Sequence, residues 1–179
     1  VRGGVSGVGR TAAAALEEQP QPQRRAEALR PNPLRAREDR SRAYYDGCLV
    51  GIEGTNSNKC LYGDTDGKRT LILYGDSHAM QYFPALEEIA DSRGWRLIAL
   101  TKAECTPAEV PIRSMVADRE YSQCDAWRQD SLERIEAGDP GSAMVLMSGD
   151  TAYTPYGEDG EELDGDAAAA AMGAGYGAT

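Results

Sequence analysis

The sequence lacks the marks of two common protein classes. Its longest apolar runs, such as 70–74, are a few residues long, far short of the roughly 20 residues that cross a bilayer. We therefore predict no membrane-spanning segment. It has a single histidine, and its four cysteines fit no Cys-x-x-Cys pattern, so we predict no zinc site. No motif calls for another metal or for an organic cofactor, and we expect none.

Basic residues are scarce outside the first part of the chain. The net charge is −10; residues 1–43 carry nine arginines and five acidic residues, and the remainder carries ten basic and 24 acidic residues. Nucleic-acid binding requires clustered lysine and arginine. The acidic body therefore argues against a nucleic-acid partner, and a solvated acidic surface is the simplest interpretation.

The first 43 residues have the composition of a linker. They combine an alanine run at 12–15, Gln-Pro repeats at 19–22 and an arginine-rich segment at 30–37. Such a mixture buries too little apolar area to offset the entropy of ordering. We therefore predict a largely disordered linker, 1–43, followed by one domain, 44–179. The chain starts without Met or an apolar signal core, which predicts that it belongs to a longer polypeptide.

The cysteines, at 48, 60, 105 and 124, predict two disulfides and an oxidising compartment. We favour the pairs Cys48–Cys60 and Cys105–Cys124, because each closes a short loop. The two other pairings and four buried thiols are the alternatives. The segment 44–68 is rich in glycine and asparagine, and we predict a loop that the first pair staples.

The pattern of the domain is strand, helix, strand, helix, strand. The predicted strands are 69–74, 95–101 and 142–148, and the predicted helices are 84–92, 124–136 and 166–177. The length of the first crossover predicts parallel strands. The third strand is apolar throughout, which predicts a central position in the sheet. Because no strand follows the last helix, we expect the domain to be C-terminally incomplete.

The turn Gly75–His78 is the most distinctive local feature. The strand before it delivers Ser77 into a tight bend that glycine permits, and the amides that open the next helix can face an anion beside the hydroxyl. A nucleophilic serine is commonly held in this way. The alternative is that Asp76 or Ser77 merely caps the helix.

The sequence around this turn resembles the SGNH (GDSL-like) hydrolase family, specifically the extracytoplasmic SGNH domain fused to bacterial membrane acyltransferases of the acyltransferase 3 type. The likeness rests on LILYGDSH at 71–78 with MQYFPAL at 80–86, on WRLIALTK at 95–102 leading to Cys105, and on YSQCDAW at 121–127. It covers the range 44–179. The resemblance implies an α/β protein with a flavodoxin-like three-layer α/β/α sandwich and a parallel sheet.

The resemblance also implies a function. A serine would take an acyl group and pass it on, in O-acyl transfer or ester hydrolysis on cell-surface carbohydrate. The expected partners are a cell-surface glycan or acylated sugar and a membrane acyltransferase domain upstream in the parent chain. The expected location is therefore outside the cytoplasm, tethered to the cell envelope. One alternative is a non-catalytic glycan-binding or degenerate domain that uses Trp95, Trp127 and the tyrosines; another is a flavodoxin-like domain that binds phosphate at the turn.

The resemblance assigns roles to individual residues. Ser77 matches the nucleophile of the family, with its own backbone amide in the oxyanion hole. The other oxyanion donors would come from the loops after the next two strands, 102–105 and 148–150, which makes Ser148 a candidate. No Gly-x-Asn-Asp motif occurs there.

The remaining residues of the turn are expected to support it. Gly75 permits the bend, and Asp76 is expected to accept hydrogen bonds from nearby amides. His78 is expected to support the turn or pack against it rather than act as the base. The family takes its base from an Asp-x-x-His motif, which these 179 residues do not contain. We therefore expect this stretch alone to be inactive.

Overall fold

The computed structural model describes residue 29 and the ranges 32–138 and 143–179. The chain divides into two units, Val1–Arg40 and Ser41–Thr179. Most of the predicted linker lies outside the described residues; its described part contains a 3-10 helix, Pro33–Arg35, whose first turn is capped by the side chain of Asn32. The domain boundary at residue 43 stays a prediction.

The second unit alternates strands and helices. Its strands are β1 (Leu49–Val50), β2 (Leu61–Gly63), β3 (Thr70–Gly75), β4 (Arg96–Lys102), β5 (Arg113–Ser114), β6 (Arg119–Glu120) and β7 (Ala143–Ser148). Its α-helices are α1 (Arg42–Tyr45), α2 (Phe83–Arg93), α3 (Ser122–Glu136) and α4 (Gly165–Ala178), and a 3-10 helix, Ala79–Tyr82, precedes α2. All six predicted elements are present, displaced by at most two residues at either end.

The main sheet has the order β1-β4-β3-β7, and β2 also pairs with β4. β3 runs parallel to both β4 and β7, and Gly75 at its end lies opposite Thr101 and Ser148. The carboxyl ends of three strands therefore meet at one edge of the sheet. The prediction of an α/β fold with a parallel sheet is confirmed.

The segment 44–68 is not only a loop, as the sequence suggests. β1 pairs with β4 in parallel and β2 pairs with the same strand in antiparallel orientation, so the sheet is mixed. The two strands have only two and three residues. Strands so short show no alternation of apolar and polar residues, which is why the sequence does not indicate them.

The prediction that the third strand is central is wrong. β7 lies at the end of the described strand order, with β3 as its neighbour, and the inner positions belong to β3 and β4. Met144 is 59% exposed, and Val145 and Met147 are exposed as well. An apolar run shows that both faces of a strand favour burial, but it does not show which strands lie beside it.

The core consists of one layer on each face of the sheet. Side chains of β3 alternate, so that Leu71 and Leu73 pack with Phe83 of α2, whereas Ile72 and Tyr74 pack on the opposite face with α3 and α4. The result is helix, sheet and helix in three layers. None of the helices in the described part of the chain is both long and apolar enough to cross a bilayer.

Both favoured disulfide pairs are present in the structure. Cys48–Cys60 joins the start of β1 to the start of β2, and Cys105–Cys124 joins the loop after β4 to α3. No free cysteine remains. The second disulfide is important for the site, because it fixes a loop at the carboxyl edge of the sheet.

Three buried tyrosines make the stability of the fold sensitive to high pH. Burial, followed by a hydrogen bond to Asp46, raises the pKa of Tyr62 from 10.0 to about 12. Burial also raises the pKa of Tyr74 and of Tyr121. The unfolded chain therefore loses these protons first, and the free energy of unfolding falls as the pH rises above about 10. We expect tyrosinate absorbance and the loss of circular dichroism to appear in one cooperative alkaline transition.

Tyr74→Phe provides the control for this prediction. The hydroxyl of Tyr74 is buried and has no hydrogen-bond partner among the described residues, while its ring stacks on Trp127 at a centroid distance of 5.5 Å. Phenylalanine keeps the ring and removes the ionisable group, so the alkaline transition should move to higher pH at no cost near neutrality. Tyrosinate that forms while the fold stays intact would contradict the prediction.

Candidate active site

The turn at the end of β3 requires glycine at its first position. Gly75 has a φ of 147°, and a Cβ atom there would lie 1.8 Å from the carbonyl oxygen of Ser148 on β7. No other residue fits so close to a neighbouring backbone. The bend therefore brings the next residues out of the sheet at its carboxyl edge.

Ser77 projects from this turn into solvent. Its side chain is exposed, in contrast to the fully buried strand before it. Neither its hydroxyl nor its backbone amide makes a hydrogen bond to a described residue. The turn thus presents one free hydroxyl and one free N–H group, which is the pair that nucleophilic attack and oxyanion binding require.

Asp76 joins the two turns that flank the site. It is 1% exposed, and its Oδ1 accepts hydrogen bonds from the amides of His78 (2.7 Å) and Ala79 (3.4 Å). Its Oδ2 accepts a hydrogen bond from the amide of Asp150 (2.7 Å), beyond the end of β7, and another from the hydroxyl of Tyr153. One carboxylate therefore fixes the Ser77 turn against the loop that follows the neighbouring strand.

His78 lies between two carboxylates. Its side chain is 46% exposed, with Nδ1 3.5 Å from Oδ2 of Asp76 and Nε2 3.9 Å from Oδ2 of Asp150. Both ring nitrogens are thus directed at acidic groups of the two flanking turns. This arrangement supports the predicted role of His78 in holding the turn, although that role stays a prediction.

Tyr153 is a neutral hydrogen-bond donor to Asp76. Burial is the largest cause that raises its pKa, followed by the hydrogen bond to Asp76 and by the charge of that carboxylate. The hydroxyl therefore keeps its proton throughout the physiological range. Because Tyr153 lies far along the chain from Asp76, no local sequence pattern indicates this contact.

The loops after β4 and β7 both reach the site, as the resemblance implies. Glu104, in the first loop, has a left-handed backbone with a φ of 55°, and it lines the same hollow as Ser77. In the second loop the amide of Asp150 is occupied by Asp76, whereas the amide of Gly149 makes no hydrogen bond to a described residue. Gly149 thus offers the second loop's free N–H group.

Ser148 lies at the point where β7 ends and the second loop begins. It is the last residue of β7, it is half-buried, and its carbonyl oxygen accepts a hydrogen bond from the amide of Asp76. It is not among the described residues that line the hollow around Ser77. Its role in the oxyanion loop stays a prediction.

The hollow around Ser77 combines acidic groups with a few apolar ones. It is lined by Asp76, Ser77, His78, Glu104, Arg113, Met115, Asp150, Ala152 and Tyr153. The guanidinium of Arg113 pairs with Asp118 and, at 3.4 Å, with Glu162. Within the described residues, no three acidic, histidine or cysteine side chains are placed to hold a metal ion.

The sequence prediction names few of these lining residues individually. Glu104 and Asp150 lie within the loops 102–105 and 148–150 that the resemblance implies, but it singles out neither of them, and Tyr153 lies beyond the second loop. The rule that functional loops lie at the carboxyl edge of a parallel sheet indicates this region but not the identity of the residues. Arg113 and Met115 belong to the β5–β6 hairpin, which is a sheet separate from the main one. No pattern in the sequence points to them.

These features define a class of α/β proteins in which an exposed serine lies on a strand-to-helix turn at the carboxyl edge of a parallel sheet. Residues 47–178 match the family model of the SGNH domain that is fused to AT3 domains. The chain belongs to this family, and the resemblance inferred from the sequence is confirmed. Searches among curated proteins and among solved structures gave no match.

Proposed function

We propose that this domain carries out serine-dependent O-acyl transfer or ester hydrolysis on cell-surface carbohydrate. The observation that carries the proposal is Ser77, which lies at an exposed turn and whose hydroxyl and amide make no hydrogen bond to any residue that the structure describes. Membership of a family whose SGNH domains are fused to AT3 domains supports acyl chemistry and an acyltransferase partner domain in the parent polypeptide. The substrate is then a cell-surface glycan that accepts the acyl group, or an acylated sugar that donates it.

The chemistry would proceed in two steps. The hydroxyl of Ser77 attacks the carbonyl carbon of an ester, its proton passes to a base, and the bond to the alcohol breaks as the alcohol takes up a proton. The acyl group is then bound to Oγ of Ser77, and water or a second sugar hydroxyl removes it in the reverse sense. The negative oxygen that forms in each step would be stabilised by the free amides of Ser77 and Gly149.

The base is the component that these residues do not supply. His78 is the only histidine in the sequence, and its ring nitrogens face Asp76 and Asp150. The Asp-x-x-His motif that serves the family has no counterpart among the 179 residues. We therefore propose that Ser77 requires a base from outside this stretch, and that the stretch alone has little activity.

The two disulfides support a location outside the cytoplasm, because such bonds persist in oxidising compartments. The AT3 fusion supports attachment to the cell envelope. Both inferences are independent of the role of Ser77.

A non-catalytic glycan-binding domain is the second candidate, and the absence of an Asp-x-x-His motif favours it. One part of that alternative is wrong. Trp127 is fully buried in the core and cannot contact a glycan. Trp95 is half-buried beneath the guanidinium groups of Arg69 and Arg93, which lie 5.6 and 5.4 Å from its ring centroid.

The experiment compares the wild-type chain with Ser77→Ala in the hydrolysis of para-nitrophenyl acetate, with imidazole added as an external base. A serine hydroxyl is a weak nucleophile until a neighbour accepts its proton. We therefore expect imidazole to stimulate the wild-type chain, and Ser77→Ala to fall to the rate of imidazole alone. Ser92→Ala, an exposed serine on α2, should behave like wild type. Equal rates for the wild-type chain and Ser77→Ala would refute the role of Ser77.

A further inference from the structure

The β5–β6 hairpin carries two large apolar side chains that are open to solvent. Met115 and Val116 follow β5 directly and are 70% and 71% exposed. Met115 lines the hollow that contains Ser77, whereas Val116 does not. Two adjacent residues of similar exposure therefore differ in one respect, which is access to the candidate site.

The hairpin is held firmly in this position by the loop after β4. Oε2 of Glu104 accepts hydrogen bonds from Oγ of the buried Ser114 (2.9 Å) and from the amide of Val116 (3.3 Å). Oγ of Ser114 in turn accepts a hydrogen bond from the amide of Ala117 at 3.0 Å. Glu104, which itself lines the hollow, thus fixes the segment of the hairpin that carries Met115.

Two residues that bound the Met115 segment, Glu104 and Asp118, have left-handed backbone conformations. Glu104 and Asp118 are the non-glycine residues with positive φ among those described, at 55° and 54°. Such residues persist where the surrounding contacts over-determine them, and they concentrate at ligand-binding positions.

The lining of the hollow contains two kinds of surface. Met115 and Ala152 supply apolar side chains. Oε1 of Glu104 and Oδ2 of Asp150 accept no hydrogen bond from a described residue, although Nε2 of His78 lies 3.9 Å from the Asp150 oxygen. A carboxylate oxygen has two lone pairs, so both oxygens remain acceptors for hydroxyl groups. An ester of a sugar also has two kinds of surface, because its alcohol part carries hydroxyls and its acyl part carries hydrocarbon.

We propose that Met115 contacts the hydrocarbon of the acyl group on the ester at Ser77, while Glu104 and Asp150 accept hydrogen bonds from the sugar hydroxyls. This inference rests on the proposed function and specifies its substrate as a sugar ester of a neutral alkanoic acid. An acyl group that ends in a carboxylate is disfavoured, because Asp76, Glu104 and Asp150 line the hollow and Arg113 is already paired with Asp118 and Glu162.

The test uses Ser77→Ala protein, so that no ester is consumed, with methionine labelled by an NMR-active methyl carbon. The probes are methyl glucoside, its butyryl ester and its succinyl ester. The chain has five methionines, and Met115→Leu identifies the relevant signal. We expect the butyryl ester to shift the Met115 methyl resonance, and the acyl-free and succinyl compounds to leave it in place.

Matched variants measure the contribution of the side chain. Burying part of a methionine side chain against hydrocarbon is worth a factor of about five in affinity. Met115→Ser should therefore weaken binding of the butyryl ester about fivefold. Val116→Ser, next to it and equally exposed, should not change the dissociation constant.

The experiment distinguishes a wrong assignment of Met115 from a wrong proposed function. If the butyryl ester shifts the amide resonances of the Ser77 turn but not the Met115 methyl, or if both serine variants bind it equally, the assignment of Met115 is wrong and the proposed function stands. Succinyl binding as tight as butyryl binding would overturn the preference for a neutral acyl group. If no sugar ester moves any resonance of the turn, the proposed function itself fails.

Discussion

Replacing Asp76 with alanine is expected to lower the free energy of unfolding by about 3–5 kcal/mol, since each buried donor left without an acceptor costs roughly 1–3 kcal/mol. The carboxylate is 1% exposed and accepts hydrogen bonds from the amides of His78, Ala79 and Asp150 as well as from the hydroxyl of Tyr153. Alanine satisfies none of these donors. The loss should be measured by urea denaturation, followed by circular dichroism.

Two further variants separate this effect from a general loss of negative charge. Asp91→Ala removes an exposed carboxylate on α2 and should change the free energy of unfolding by less than about 0.5 kcal/mol. Asp76→Asn keeps the shape and one acceptor oxygen, so it should have an intermediate effect. If Asp76→Ala is as stable as Asp91→Ala, the carboxylate does not hold the two turns together.

Replacing Lys102 with methionine should also cost about 3–5 kcal/mol of unfolding free energy, because a cage of three carbonyl oxygens loses its hydrogen bonds to an ammonium group, and hydrogen bonds to charged groups are worth roughly 1.5–3 kcal/mol each. Lys102 is fully buried at the end of β4, and its Nζ donates to the carbonyl oxygens of Gly51 (2.7 Å), Ile52 (2.8 Å) and Gly54 (2.7 Å). Burial lowers the pKa of Lys102 to about 8, so the ammonium form still predominates at neutral pH. The side chain thereby ties the loop after β1 to the central sheet.

The control for this substitution is Lys68→Met, at an exposed lysine just before β3. Methionine has almost the length of lysine, so both variants keep the volume of the side chain and lose only the charge. We expect Lys68→Met to be neutral within about 0.5 kcal/mol. A Lys102→Met chain that unfolds at the urea concentration of wild type would show that the carbonyl oxygens find other partners, and that the cage does not stabilise the fold.

The central strands of the fold are predictable from the sequence because their residues are buried or half-buried along the whole strand. All six residues of β3 are buried, so its apolar run reflects the structure directly. β1 and β2 have too few residues to show a period, and they form because β4 offers an edge on which to pair. The position of β7 is a matter of strand order, which an apolar pattern does not encode.

The candidate site also has some features that follow from the local sequence and others that depend on tertiary contacts. The Gly75 bend and the exposed Ser77 are local consequences of a strand that ends in a tight turn, and the sequence indicates them. Asp76 bonds to amides, as its residue type suggests, but one of those amides belongs to Asp150, 74 residues away. The position of Met115 depends on a hairpin fixed by Glu104, which is a tertiary contact without a local pattern.

The most direct test of the account is to locate the acyl group after reaction. The wild-type chain is incubated with para-nitrophenyl acetate and imidazole, stopped with acid, digested and mapped by mass spectrometry. We expect an acetyl group on the peptide that contains Ser77, and none on that peptide in Ser77→Ala. Acetylation confined to surface lysines, with Ser77 unmodified while the ester is consumed, would contradict the claim that this hydroxyl is the nucleophile.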